Sequence, residues 1–306
     1  MKKEILICLS LIPLIFFSGC TLPWNQPLPT YKDDAITIED YAVSTTEPYA
    51  GSRVTIKFLI QNNIEDPIKN VEVKFFDLSG FSDPSLDCGD GTRNDSVTCY
   101  FSELDSLDYK PIKITLKAPE EEQITAPTKF TVSFLVNYTM SSERSVMIPV
   151  VDGRIKTEPE SEFLVSEQKH GPVRVDFDFP IKRIRKEDDR EIIERWVVAG
   201  EPFEVKFKFK HTGTLRNVEP INITGDKIRI ENKSIKIIEP CDFNITTSTS
   251  KRDITLLSTR ERNLLKCNFN ATETKYPEFL AELKLSYNYT YTFIKKETFT
   301  VKPPPF

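Results

Sequence analysis

The 306-residue chain has few of the residues that build most catalytic and nucleotide-binding sites. It contains 10 glycines and two histidines. None of the common glycine-rich, metal-ligating or nucleophile motifs is present. Cations are not in excess, since 41 lysines and arginines stand against 46 aspartates and glutamates, for a net charge of -5. A nucleic-acid partner would need such an excess to neutralise phosphates. We therefore expect no enzyme activity, no cofactor, no metal ion and no nucleic-acid partner.

Long hydrophobic runs are absent after residue 20. The one apolar run near the N-terminus, from Ile5 to Phe17, follows two lysines and has about 13 residues. That length is short for a ~30 Å hydrocarbon core and typical of a signal peptide. The run ends in Ser-Gly-Cys20, which resembles the lipobox of prokaryotic lipoproteins, with Phe17 where leucine is more frequent. The resemblance implies that residues 1–19 are a lipoprotein signal peptide and that Cys20 becomes a lipidated N-terminus. An ordinary signal peptide and an uncleaved anchor are the alternatives.

The segment after Cys20 is rich in proline, with three prolines between residues 21 and 30. Proline favours extended backbone without internal hydrogen bonds. We therefore expect residues 20–34 to form a lipidated tether, with the membrane as a partner through the N-terminal lipid. The remainder of the chain would then stand on the extracellular face of the cell membrane.

Four cysteines follow the export segment: Cys88, Cys99, Cys241 and Cys267. Four cysteines allow three connectivities, and sequence distance favours Cys88–Cys99 and Cys241–Cys267. A metal site would need closer cysteine pairs or nearby histidines. We expect two disulfides in an oxidising compartment, with unpaired buried thiols as the alternative.

The sequence contains an internal duplication. Four landmarks recur in the same order: Ala50-Gly51 and Ala199-Gly200; Asn70-Val71 and Asn217-Val218; Cys99-x-Phe101 and Cys267-x-Phe269; Asn137-Tyr-Thr and Asn288-Tyr-Thr. After the last landmark each copy is expected to turn through a polar stretch, at 141–145 and 295–297, and to close with a short strand. The predicted domains are residues 35–152 and 173–302, with a linker at 153–172 and a tail at 303–306.

Apolar and polar residues alternate in several segments of both copies. Between Phe203 and Phe209 every second residue is Phe or Val, and the residues between them are charged. A period of two is typical of a strand with one buried face, and one solvated face is typical of antiparallel sheets. The sequence therefore predicts an all-β protein with two tandem antiparallel β-sandwich domains.

The Ala-Gly start, the alternating strand, the Cys-x-Phe and the terminal hairpin resemble the immunoglobulin-like repeats of prokaryotic surface proteins, including CARDB-type adhesion modules. The resemblance covers residues 35–302. It implies display, spacing or adhesion in the cell envelope, with another envelope protein or a glycan as the partner.

Seven sequons for N-glycosylation occur, against about two expected by chance in this composition. They begin at Asn94, Asn137, Asn222, Asn232, Asn244, Asn270 and Asn288. The alternation of the last long strands predicts that Asn137 and Asn288 both point to solvent at equivalent places. Turn-forming or strand-surface roles for these asparagines are the alternative. A lipobox combined with many sequons is more typical of an archaeal cell surface than of other surfaces.

Two further groups could carry chemistry. The acidic loop from Asp83 to Asp95 could hold Ca²⁺ through several oxygens, but it lacks the spacing of a calcium loop, and Asp and Asn also form turns. His170 in the linker and His211 at a strand end are expected to be solvated.

The leading hypothesis is a non-enzymatic, lipid-anchored cell-surface protein that binds a partner or acts as a spacer. An accessory domain of an extracytoplasmic hydrolase and a solute-binding lipoprotein are the alternatives.

Overall fold

The computed structural model describes residues 31–154, 159, 161–179, 183–187, 190–257, 262–272 and 276–305. The strands are β1 (Ile36–Val43), β2 (Arg53–Asn62), β3 (Ile68–Asp77), β4 (Ser82–Asp87), β5 (Thr92–Arg93), β6 (Thr98–Leu104), β7 (Tyr109–Lys117), β8 (Thr128–Val151), β9 (Leu164–Val165), β10 (Val173–Asp178), β11 (Arg183–Glu187), β12 (Arg190–Glu194), β13 (Val197–Val198), β14 (Pro202–His211), β15 (Ile221–Ile223), β16 (Ile228–Lys233), β17 (Ile235–Cys241), β18 (Ile254–Leu256), β19 (Arg262–Ala271) and β20 (Glu278–Val301). The helical elements of the described residues are two single 3-10 turns, Glu121–Gln123 and Gly225–Lys227. The all-β prediction is confirmed.

The strands form three principal sheets. Two are four-stranded, with the orders β1-β2-β7-β4 and β10-β14-β19-β17, and the third has the order β16-β20-β8-β3-β6-β5 with β9 and β13 also on β8. The remaining strands form two two-stranded sheets, β11-β12 and β15-β18. Among the named strand pairs of the described residues, only β13 and β8 run parallel. The architecture is an antiparallel β-sandwich.

The longest feature is the ribbon made by β8 and β20. The two 24-residue strands pair along their whole length, from Thr128 opposite Val301 to Val151 opposite Glu278. The first half of β8 also pairs with β3, and the first half of β20 pairs with β16. Each long strand therefore runs through both copies of the repeat. The copies predicted as separate domains, 35–152 and 173–302, share this sheet, and residues 31–306 form one compact unit.

Two aromatic clusters show how the long strands complete the cores. In the first lobe, which the sheet β1-β2-β7-β4 covers, Phe58 stacks on Phe134 of β8 at 4.6 Å, and Phe81 contacts Phe299 of β20 at 5.2 Å. In the second lobe, which the sheet β10-β14-β19-β17 covers, Phe209 contacts Tyr287 of β20 at 5.4 Å. Aromatic pairs at such distances stabilise cores beyond their burial. The first lobe thus takes core residues from both copies of the repeat.

The alternating faces lie as predicted. In β14 the four apolar residues from Phe203 to Phe209 are buried, and the lysines between them are half-buried at the surface. Burying a Phe or Val side chain contributes about 1.5–3 kcal/mol. The alternation that predicts strand β14 therefore also places its four apolar side chains in the core of the second lobe.

The polar stretches predicted as turns are strand instead. Residues 141–145 lie in the middle of β8, and residues 295–297 lie within β20. Arg144 faces inward, yet its guanidinium donates to the Val175 carbonyl and pairs with Asp176 at 3.2 Å. In β20 the Glu297 carboxylate accepts from the Tyr41 hydroxyl at 2.9 Å. Partners distant in sequence satisfy these polar groups, so the strands continue through them.

The Cys-x-Phe landmark does not mark equivalent strands. Cys99 lies in β6 and pairs opposite Val73 in the sheet that contains β8 and β20, which we call the long sheet. Cys267 lies in β19 and pairs opposite Val205. The position in the first lobe that matches Val205 is Ile56, and its partner is Ile114 of β7 rather than Cys99. The duplication holds for the Ala-Gly turns and the long strands, whereas each copy has its own disulfide arrangement.

Candidate functional site

A polar cleft opens beside the middle of β8, where the two lobes meet. Its volume is about 370 Å³, within the range of ligand sites in proteins. Five of the residues that line it are serines, and we call the whole cleft the serine cleft after them: Ser141, Ser142, Ser145, Ser166 and Ser286. Ile64, Asp66, Met140, Glu143, Arg144, Glu167, Lys169, His170, Lys284 and Asn288 complete the wall.

The cleft exists because one edge of β8 loses its neighbouring strand. The pairing of β3 with β8 reaches Thr139 and goes no further. On the other side of the gap, β9 pairs with Val146 and Met147, and the Ser166 amide donates to the Ser145 carbonyl at 2.9 Å. Between these two contacts, no strand of the described residues lies on this edge of β8.

A buried glutamine ties the chain after Ser166 to the two ribbon strands, β8 and β20. The amide of Gln168 donates to the hydroxyl of Tyr287 at 2.7 Å, and its carbonyl oxygen accepts from the Val175 amide at 3.0 Å. Both side chains are buried, and burial raises the pKa of Tyr287 to about 12. The phenol is therefore a neutral hydrogen-bond partner at physiological pH. The Gln168 amide also donates to the hydroxyl of Ser142 in β8 at 3.1 Å, so Gln168 fixes the segment against β8 and β20 beside the cleft.

Ion pairs neutralise the charges around the cleft. Lys284 pairs with Glu143 at 2.7 Å, and Lys169 pairs with Asp66 at 2.7 Å. Hydrogen bonds to these carboxylates raise the pKa of both lysines. Each of these two cations therefore stays charged and partnered.

His170 is held by a carboxylate rather than by solvent alone. Its Nδ1 lies 2.6 Å from Glu65, whose side chain also accepts from the His170 backbone amide at 3.3 Å. Burial is the largest single influence and acts to raise the pKa of Glu65, but the hydrogen bonds to the carboxylate and the charge of His170 together outweigh it, and the pKa is lowered. Together with the Lys169–Asp66 pair, this contact ties the 161–172 segment to the loop after β2.

The second histidine is buried, which corrects the expectation that it is solvated. His211 is 5% exposed, and its Nε2 lies 3.1 Å from the hydroxyl of Tyr291. Burial lowers the pKa of His211, although the nearby Asp34 carboxylate acts to raise it. Asp34 itself accepts from the Thr214 amide at 2.8 Å. This cluster joins β14, β20 and the segment before β1, and it serves packing.

A second groove lies at the place in the first lobe that matches the serine cleft. It has a volume of about 490 Å³ and is lined by residues 37–39, 215–217 and 293–296. The cations of the two places match as well: Arg144 lies 6.0 Å from the ring of Phe177, and Lys295 lies 4.7 Å from the ring of Tyr41. Such cation–π contacts stabilise a long side chain over an aromatic face. The two grooves therefore lie at matching positions of β8 and β20.

The carboxylates of the acidic loop in the first copy form hydrogen bonds within the loop or an ion pair beside it. The Asp87 carboxylate accepts from the Gly89 amide at 3.1 Å, and Asp95 accepts from the Val97 amide at 2.8 Å. Asp90 pairs with Lys110 at 2.7 Å. These contacts are those of turn-forming residues. Among the described residues, no group of three or more His, Cys, Asp or Glu side chains is placed to hold a metal ion.

The structure pairs Cys88 with Cys99 and Cys241 with Cys267, the connectivity that sequence distance favours. Disulfides persist in oxidising compartments, so these two indicate an extracytoplasmic protein. Within the described part of the chain, no helix is long and apolar enough to cross a membrane. The predicted lipidation site, Cys20, lies outside the described residues.

The seven predicted glycosylation sites differ in accessibility. Five asparagines are exposed: Asn94, Asn222, Asn232, Asn244 and Asn288. Asn137 and Asn270 are half-buried. Asn137 lies in the centre of the long sheet, opposite Glu72 of β3 and Thr292 of β20, and its side-chain oxygen accepts from the Thr292 hydroxyl at 3.3 Å. The sequence predicts that Asn137 and Asn288 are equally exposed. In the structure Asn288 is exposed and Asn137 is half-buried, because only Asn137 has a paired strand on each side.

No protein-family model matches the chain, and no curated protein sequence matches it. Solved structures give distant likenesses to β-rich proteins. They include red sea bream transglutaminase (10% identity, TM-score 0.21, covering 88% of this chain and 31% of that one) and the secreted serine protease VesC from Vibrio cholerae (8% identity, TM-score 0.20, covering 87% and 51%). A third is Escherichia coli alpha-2-macroglobulin activated by porcine elastase (10% identity, TM-score 0.24, covering 87% and 22%). The chain thus spans at most about half the length of these proteins, and at such TM-scores the likenesses carry no argument about function.

Proposed function

We propose that this protein is a non-enzymatic, lipid-anchored component of the cell envelope that binds a partner on the extracellular face of the membrane. The observation that carries the proposal is the pair of disulfides within one all-β unit that follows an export segment ending in Cys20. Disulfides of this kind belong to exported proteins, and the lipobox-like sequence supplies a means of attachment.

The exposed sequons support a surface location. Five of the seven acceptor asparagines lie on the surface of the unit, where an oligosaccharide could be attached without disturbing the core. Asn244 and Asn222 lie outside the long sheet, the first in a turn in which its side chain accepts from the Thr246 amide at 2.9 Å. Attached glycans are bulky and solubilising, which suits a protein held at a cell surface.

The serine cleft favours a binding role over a purely spacing role. A spacer needs only a stable sandwich, whereas the cleft leaves the edge of a central strand without a neighbour. Unpaired sheet edges are normally covered or blocked in native proteins, so the unpaired edge of β8 between Thr139 and Val146 supports a binding site.

The anchor is tested by mass spectrometry of the N-terminal peptide from membranes of cells that express the full chain. We expect a peptide that begins at Cys20 and carries a lipid mass, and we expect the protein in the membrane fraction. A Cys20→Ser variant is the matched control and should lose the lipid and leave that fraction. An unmodified Cys20 in the wild-type protein would contradict the anchor.

A further inference from the structure

We infer that the serine cleft binds an extended peptide strand, which pairs with the open edge of β8 through the backbone of Ser141 and Glu143. This inference concerns the ligand class of the proposed binding role, and it requires neither the lipid nor the glycans. It rests on the direction of the backbone groups, on a matching site in the first lobe, and on the charges of the cleft.

The first step is the direction of the backbone groups along β8. The Ser145 carbonyl accepts from the Ser166 amide, and the Val151 carbonyl accepts from the Ala199 amide, both on the side away from β20. Backbone groups alternate between the two sides of a strand. The amide and carbonyl groups of Ser141 and Glu143 therefore point to the same side as those of Ser145, into the cleft. Among the described residues, no backbone partner lies opposite them there.

The second step is that the chain fills the matching edge in its other copy. The Ala50 amide donates to the Lys302 carbonyl as the Ala199 amide donates to the Val151 carbonyl, so Lys302 and Val151 match. Ten residues earlier in each strand lie Thr292 and Ser141, and eight residues earlier lie Ile294 and Glu143.

At this matching edge a strand segment is in place. The Glu219 amide donates to the Thr292 carbonyl at 2.9 Å, and the Ile294 amide donates to the Asn217 carbonyl at 3.0 Å. Val218 between them lies antiparallel to β20. The molecule itself thus shows that an extended peptide fits an edge of this geometry. At Ser141 and Glu143 the equivalent segment is missing, because β3 pairs further back along β8.

The third step is charge. Asp66 and Glu143 are paired with Lys169 and Lys284. With Glu167 and Arg144 included, the wall has three carboxylates and three Lys or Arg cations, so its net charge favours neither an anionic nor a cationic ligand. Recognition then depends on neutral hydrogen-bonding groups, as in strand addition, where main-chain bonds give the affinity. A ligand strand would donate to the Ser141 carbonyl and accept from the Glu143 amide, with the serine hydroxyls beside it.

The test uses the full chain in detergent and a synthetic peptide with the sequence of residues 215–221, which contains the segment seated on the matching edge. Two N-methylated peptides separate backbone pairing from other contacts. A methyl group on the nitrogen of Glu219 removes the donor that faces the strand, whereas a methyl group on that of Val218 faces away. We expect titration to show about tenfold weaker binding for the first peptide and nearly unchanged binding for the second.

Two protein variants test the receiving edge. Glu143→Pro removes the amide donor at an edge where proline is tolerated and should weaken binding about tenfold. Glu143→Ala removes the side chain but keeps the amide, and it should weaken binding less than Glu143→Pro does. If Glu143→Pro does not fold, hydrogen exchange of the wild-type Glu143 amide replaces it. This amide should be protected by the unmodified and the Val218-methylated peptides, and less at equal concentration by the Glu219-methylated one.

Three outcomes would overturn the inference: no binding of the unmodified peptide at millimolar concentration, equal binding of both methylated peptides, or no protection of the Glu143 amide. A neutral oligosaccharide such as chitotetraose is run in parallel. If it protects the Glu143 amide and the peptide does not, the cleft is a glycan site and the strand inference is wrong. The proposed surface role would survive each of these results, because Cys20 lipidation is measured separately.

Discussion

Ala50 and Ala199 occupy the same position in two copies of one turn. The Ala50 amide donates to the Lys302 carbonyl at 2.8 Å, and the Ala199 amide donates to the Val151 carbonyl at 2.9 Å. The glycine that follows each alanine has a positive φ, +73° at Gly51 and +83° at Gly200. Each turn precedes a strand of a four-stranded sheet, β2 or β14. It attaches the start of that strand to the end of the ribbon strand of the other copy.

These two glycines should resist substitution. A side chain with a Cβ is disfavoured at positive φ by about 1–2 kcal/mol, so Gly51→Ala and Gly200→Ala should each lower the free energy of unfolding by about that amount. Asparagine tolerates this conformation better, so Gly51→Asn is the control and should cost less. Chemical denaturation measures all three, and an equal cost for Ala and Asn at residue 51 would refute the backbone explanation.

Removal of either disulfide should destabilise the protein. The sequence separations are 11 residues for Cys88–Cys99 and 26 for Cys241–Cys267. In the chain-entropy model such loops contribute about 3 kcal/mol each, with the larger value for the longer loop. Double replacements by alanine, one pair at a time, avoid free thiols and can be compared by thermal unfolding. A larger loss for Cys88/Cys99 would show that strain or packing outweighs the entropy of the loop.

His211 should make stability dependent on pH. Burial lowers its pKa in the folded protein, whereas the unfolded chain titrates near 6.5. Below that value the unfolded state binds a proton that the folded state does not, so stability is complete above about pH 6.5 and falls as the pH decreases toward the lower folded value.

The matching residue of the first lobe suggests the variant for this test. Asn62 ends β2 as His211 ends β14, and it is buried, with its amide donating to the Leu104 carbonyl at 3.0 Å. His211→Asn should therefore reduce the loss of stability between pH 7.5 and pH 5.5, as measured by urea unfolding at each pH. The same loss in both proteins would show that other groups, with Asp34 the nearest, control the dependence.

Glycans should be attached to exposed asparagines and not to half-buried ones, even where the two sequons lie at matching positions of the two copies. Asn288 is exposed, whereas Asn137 is half-buried between two neighbouring strands. We expect Asn288→Gln to increase the gel mobility of protein from its native host and Asn137→Gln to leave the mobility unchanged. A shift for Asn137→Gln alone would mean that the acceptor is modified before the sheet forms.

Gln168 should control the serine cleft. Replacement by leucine preserves bulk but removes the hydrogen bonds to Tyr287 and to the Val175 amide. An unsatisfied buried group costs about 1–3 kcal/mol, so Gln168→Leu should lower stability by a comparable amount and raise amide exchange in residues 161–172. Glu167→Leu, at the exposed neighbouring position, is the control and should change neither. Unchanged exchange in Gln168→Leu would show that the ion pairs of Lys169 and His170 suffice.

The strands could be predicted from sequence because alternation is local. The residues of β14 show their buried face without reference to any other part of the chain. The long ribbon could not be predicted, because each of its two strands contains a polar stretch, 141–145 or 295–297, that is typical of a turn. Only the partners of Arg144 and Glu297, brought from other strands, show that these positions are compatible with a continuous strand.

The site could be predicted even less. The serine cleft depends on where β3 stops pairing and on Gln168, a residue that no motif distinguishes. The one available signal was the cluster of serines at 141–145, and it favours a loop as strongly as a site. The disulfides are the exception, because their spacing within each copy was sufficient to favour one pairing.

The crossing of β20 into the first lobe determines when this protein can finish folding. Phe299 packs against Phe81 in that lobe, although it follows Phe81 by 218 residues in the sequence. The first copy therefore keeps part of its apolar surface uncovered until β20 has been made and has reached it. Contacts of such long sequence separation form slowly, and partly folded chains of this kind are prone to aggregate. A cell that makes this protein would therefore need to protect the first copy from aggregation until β20 arrives.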